Sequence, residues 1–64
     1  MTEIGKVIRK IRNEKHLTIN ALSELANCSR YTLWSIEKTS NGTLYSLRNI
    51  ADALGYEVRL VKKQ

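Results

Sequence analysis

Proline is absent from the 64-residue chain, and glycine occurs only three times. Few positions therefore break a backbone hydrogen-bond ladder, and the composition favours helices. A single cysteine, Cys28, excludes an internal disulfide and suits a cytoplasmic protein. Zinc sites need about four ligands, and this chain does not offer that spacing. A nucleophile needs an adjacent base, and His16, the only histidine, falls on a different turn from Cys28. Enzymatic chemistry, a metal and a cofactor are therefore not expected. Cys28 reads instead as filler for a small apolar slot. Lys6, Arg9, Lys10 and Arg12 interrupt every apolar run near the start, so no signal peptide is expected. No stretch approaches the ~20 apolar residues needed to cross a membrane.

Negative charge is also scarce. Eleven Lys and Arg stand against six Asp and Glu, for a net charge of +5 and a pI near 9.7. That balance suggests a polyanionic partner, nucleic acid first. The apolar fraction of 42% is that of a globular domain rather than a disordered chain. A domain of this size buries only about 60% of its unfolded surface, a deficit that a second copy would supplement.

The hydrophobic pattern divides the chain into four helices. Ile4, Val7, Ile8 and Ile11 form one stripe, predicting a helix from Glu3 to Lys15 with Thr2 as N-cap. His16 sits where a left-handed residue would stop it. A second helix spans Thr18 to Ala26, with Ile19, Leu22, Leu25 and Ala26 inward. Asn27 then takes the left-handed position. A third spans Arg30 to Lys38, with only Leu33 and Ile36 clearly inward. Thr43 caps a fourth, whose stripe is Leu44, Leu47, Ile50, Ala51 and Leu54, and Gly55 ends it.

The tetrapeptide Ala26-Asn27-Cys28-Ser29 allows only a tight turn, and Ser29 is a ready N-cap. Helix, short turn, helix is the layout of a DNA-binding helix-turn-helix, whose second helix carries function. From Tyr56 to Lys62 the period switches to two, with Tyr56, Val58 and Leu60 alternating with Glu57, Arg59 and Val61. Such a strand has no partner left in the chain, so pairing with a two-fold-related copy is expected. A frayed tail or a short extra helix is the alternative.

The runs IGKVIRKIRNEKHLT, Leu22 with Glu24, SRYTLWSIE and TLYSLRNIADALG together resemble the lambda-repressor-like (Xre) helix-turn-helix regulators of bacteria and phages. The resemblance covers Ile4 to about Leu54. It implies a compact all-α domain of four to five helices, a homodimer, and repressor or activator function at an operator. By the same resemblance Arg30, Tyr31 and Ser35 stand where bases are read, Thr32 meets a phosphate, and Ser29 caps the recognition helix. Arg12 and Glu37 match a partly buried ion pair between helices. The chain departs from the family at Ile19, where glutamine is frequent, and at Gly42, where proline is common. Its loop after Glu37 is also shorter and lacks the usual glycine. The terminal strand resembles that of antitoxins that dimerise through one.

Read from their chemistry, the same residues suit DNA. Arg30 can make a bidentate contact to guanine. Tyr31 can bond a phosphate or pack on a thymine methyl. Trp34 can do likewise, or lie against Leu17 or a dimer partner. Lys38, Ser40 and Asn41 suit phosphate contacts, with a plain solvated loop as the alternative. The helix N-terminus at Thr18 can add another.

The expectation is a helix-turn-helix domain over residues 1–55 and a dimerisation strand over residues 56–64. The function expected is a homodimeric regulator, a repressor by preference, on an inverted-repeat duplex operator. The rival is the antitoxin of a toxin pair that also represses its own operon.

Overall fold

The computed structural model describes residues 3–63. Its four helices are α1 (Ile4–Glu14), α2 (Ile19–Leu25), α3 (Arg30–Thr39) and α4 (Leu44–Leu54). α1 packs on α3, and α2 packs on both α3 and α4.

Local chemistry sets the boundaries. Thr18, Ser29 and Thr43 hold extended backbone angles, and each hydroxyl oxygen accepts the N–H three residues on, from Ala21, Thr32 and Ser46. Each cap satisfies one of the donors that a helix start leaves without a partner. The opposite ends share another device. His16 (φ 58°), Asn27 (φ 55°), Ser40 (φ 61°) and Gly55 (φ 85°) are all left-handed. At His16, Asn27 and Gly55 the closing hydrogen bonds run as paired turns. Leu17 N–H reaches Arg12 O, Cys28 N–H reaches Ser23 O, and Tyr56 N–H reaches Ala51 O.

α1 starts differently. Its N-cap is Glu3, whose side chain makes no capping bond. Thr2, the cap expected from the sequence, lies outside the described residues. The missing acceptor comes from the end of α3: Gly5 N–H donates to Ser40 Oγ at 3.0 Å. Gly5 is buried against the end of α3, where an added Cβ would clash with Ile36 O. Only glycine permits that approach.

The core comprises Ile8, Leu22, Ala26, Leu33, Ile36, Ile50 and Leu54, flanked by Ile11, Leu17, Ile19, Cys28, Leu47 and Ala53. Three residues expected inside are outside, Ile4 at the start of α1 among them. Leu25 is 63% exposed, whereas Ser23 is buried and its hydroxyl donates to Asn20 O. Buried Leu22, Ser23 and Ala26 with half-buried Ile19 centre the inner face of α2 roughly 110° from Leu25 at 3.6 residues per turn. Leu44, the first residue of α4, is 62% exposed, and none of the described residues buries it.

From Tyr56 onward the described residues form neither helix nor strand. The expected strand is therefore not formed, and the described residues include no second strand to pair with it. Val58 is partly exposed, and Leu60 and Val61 are almost wholly so. No helix among the described residues is long and apolar enough to cross a membrane.

Candidate nucleic-acid interface

α3 has two unequal sides. Leu33 and Ile36 are fully buried. Arg30, Tyr31, Trp34 and Lys38 are exposed on the other side. Tyr31, Trp34 and Lys38 follow at i, i+3 and i+7, so they stack along one ridge. The Tyr31 and Trp34 rings lie 6.1 Å apart between centroids, inclined by 29°. Lys38 Nζ sits 5.6 Å from the Trp34 ring centroid, a cation–π distance. Trp34 is thus held by its own helix and still presents about half its surface.

Beside this ridge lies a shallow cleft lined by Ile19, Ser29, Arg30, Tyr31 and Trp34. It joins α3 to the start of α2, so Ile19, half-buried, forms its apolar wall. Thr18, exposed at the α2 cap, keeps its hydroxyl oxygen on Ala21 N–H. A second cleft shares Ile19 and Trp34 and continues past Lys38 and Glu37 to Arg9 and Arg12.

Other candidate residues are engaged locally. Ser29 Oγ accepts Thr32 N–H and donates to Thr32 Oγ1 at 2.8 Å, so cap and phosphate candidate form one hydroxyl pair. Ser35 is half-buried, and its carbonyl accepts from Thr39 Oγ1. Ser40 Oγ receives Gly5 N–H, which gives it a role in the fold. Asn41 is exposed, and its N–H donates to Thr39 Oγ1 at 3.2 Å.

Arg12 and Glu37 fix the angle at which α3 is offered. Arg12 Nε donates to Glu37 Oε2 at 2.7 Å, and Nη2 donates to Oε1 at 3.0 Å. Arg12 Nη1 reaches Leu17 O at 2.8 Å, which adds the α1–α2 turn. Both side chains are nearly buried. A bidentate charged pair of this kind contributes direction as well as energy, and its burial makes it a specifier of geometry more than a net source of stability.

Cys28 is a free thiol packed at the core edge, and burial pushes its pKa up from the ordinary 9.0. It stays protonated at neutral pH and is a weak nucleophile. His16 is exposed at the end of α1. Among the described residues no group of three His, Cys, Asp or Glu is placed to hold a metal ion.

Arg9 is the cleft residue that the hydrophobic pattern does not mark. Its signal is spacing: it lies three residues before Arg12, on the same side of α1. Tyr56, Val58 and Leu60, expected to dimerise, extend beyond the helical body with large exposed fractions of 52%, 42% and 102%. No protein-family model matches the chain, and no curated protein matches its sequence.

Proposed function

We propose that the protein is a sequence-specific double-stranded DNA-binding regulator of the lambda-repressor-like helix-turn-helix type. In this reading α2, the turn through Asn27 and α3 are the DNA-binding unit, and α3 enters the major groove. The observation that carries it is the division of α3. Two side chains anchor the helix in the core, and an arginine, two aromatics and a lysine face outward along a three-turn surface.

Arg30, at the first position of α3, reaches base edges and reads guanine through O6 and N7, a contact worth about 1–3 kcal/mol of discrimination. Tyr31 packs beside it on a thymine methyl or a phosphate. Trp34 and Lys38 face the backbone further along, and Ser29, Thr32, Thr18 and Asn41 complete the polar rim. A net charge of +5 supplies the sequence-independent attraction.

The protein acts as a homodimer in this account. The apolar alternation of Tyr56, Val58 and Leu60 pairs with the same segment of a second copy, placing two α3 helices about one helical turn, ~34 Å, apart. The operator is then an inverted repeat, and occupancy represses transcription.

The test is site selection from a random duplex library at near-physiological salt. An enriched inverted repeat supports the reading. Binding that fades with salt and enriches nothing overturns it.

A further inference from the structure

We propose that the outer surface of α1 carrying Lys6, Arg9 and Lys10 is a second phosphate track, which grips the backbone of the same duplex beyond the stretch read by α3. The inference rests on the DNA-binding reading and extends it to a helix that the reading leaves as scaffold.

The carrying observation is continuity of surface. A shallow cleft on α1 is lined by Lys6, Arg9, Lys10, Asn13 and Glu14. Arg9 also lines the cleft that holds Trp34 and Lys38. That cleft shares Trp34 and Ile19 with the one beside Arg30. One uninterrupted surface therefore runs from the start of α3 to the outside of α1, and Arg9 is its joint.

The charges along it are available. Lys6, Arg9 and Lys10 are all exposed. Arg12, one turn beyond Arg9, is committed to Glu37 and Leu17 O and can offer a phosphate little. Among the described residues no carboxylate pairs with Arg9 or Lys10, and the Lys6–Glu3 contact is 3.9 Å long and exposed, so it holds the lysine weakly. Glu14 is the one carboxylate lining the α1 cleft.

The spacing suits a nucleic-acid strand. Lys6 to Lys10 covers about 6 Å of helix axis. One DNA strand presents a phosphate every ~3.4 Å of duplex axis, so three cations in that length face about two successive phosphates. An acidic protein surface would not require the track to join the α3 face.

The experiment measures fluorescence anisotropy of a labelled random-sequence duplex over a salt series. It uses the full chain, Arg9→Gln, the triple variant Lys6→Gln/Arg9→Gln/Lys10→Gln, and Arg48→Gln as a charge-matched control. Arg48 lies on α4 and lines a cleft that shares no residue with the track. Glutamine keeps helix propensity close to that of lysine and arginine, and circular dichroism checks the fold. Each phosphate contact contributes about 0.9 to the slope of log affinity against log salt. The slope should shrink by about 1 in Arg9→Gln, by about 2 in the triple variant, and not at all in Arg48→Gln. If the full chain binds and the α1 variants keep its slope, or only match Arg48→Gln, the track is overturned and the α3 reading stands. If the full chain fails to bind duplex DNA, both fall.

Discussion

Gly5 N–H donates to Ser40 Oγ at 3.0 Å, so the end of α3 caps the start of α1. The contact works because Ser40 turns left-handed there and Gly5 has no side chain. Gly5→Ala would drive a methyl into Ile36 O and Glu37 O. It should cost about 3 kcal/mol, the upper end of ordinary overpacking, and lower the melting temperature by more than 10 °C on the roughly 4–8 °C per kcal/mol expected for so small a domain. An unchanged thermal melt would mean that α1 and α3 are not this close. Ser40→Ala should cost about 1 kcal/mol, as a lost N-cap does, with no loss of affinity for duplex DNA beyond that instability. Weaker DNA binding at an unchanged melting temperature would place the hydroxyl on DNA instead.

The rotated face of α2 makes a paired prediction. Leu22→Ala should destabilise by about 2–5 kcal/mol, because Leu22 is fully buried. Leu25→Ala, on an exposed side, should stay within about 0.5 kcal/mol of the parent. Urea titrations of the two variants decide the matter, and equal losses would return Leu25 to the core.

These positions also show how far the residues alone lead. The caps Thr18, Ser29 and Thr43 and the left-handed His16, Asn27 and Gly55 are legible, because they act within a few residues of chain. The small apolar stripe of α3 is legible for the same reason, since Leu33 and Ile36 stand one turn apart. Ser23 is not, because a polar residue gives no sign of burial when its hydroxyl is satisfied by Asn20 O. The Gly5–Ser40 contact spans 35 positions, and neither residue is diagnostic by itself. Arg9 joins two clefts only once α1 is laid on α3. The tail keeps its alternating pattern but forms no strand among the described residues.

Breaking the Arg12–Glu37 pair from one side should be severe. Glu37→Ala leaves a nearly buried guanidinium without its carboxylate, at a cost of about 3–5 kcal/mol. Calorimetric melting measures it. A loss below about 1 kcal/mol, the range of exposed pairs, would contradict the burial.

The Cys28 thiol gives a pH prediction. Its folded-state pKa is raised from 9.0 by burial, so above that value the unfolded chain sheds its proton first. The folded state therefore holds more protons, and stability falls as pH rises. The contribution is complete below pH 9 and is lost as pH climbs through the raised value. Comparing the melts of the parent and Cys28→Ala from pH 8 upward should show a decline specific to the parent. Parallel declines would assign it to other groups.

Removal of residues 56–64 should leave the four helices intact and yield a monomer by sedimentation velocity. A dimer that survives the truncation would move the interface onto the exposed Leu44 and Tyr45 of α4.

The most direct test of base reading by α3 is parallel selection of binding sites from a random duplex library with the parent and with Arg30→Ala. The parent should enrich an inverted repeat with half-sites about one turn, ~34 Å, apart. Arg30→Ala should bind that site about 1–3 kcal/mol more weakly and lose preference at one base pair in each half. An identical motif recovered with undiminished affinity from Arg30→Ala would contradict the assignment of α3 as the reading helix.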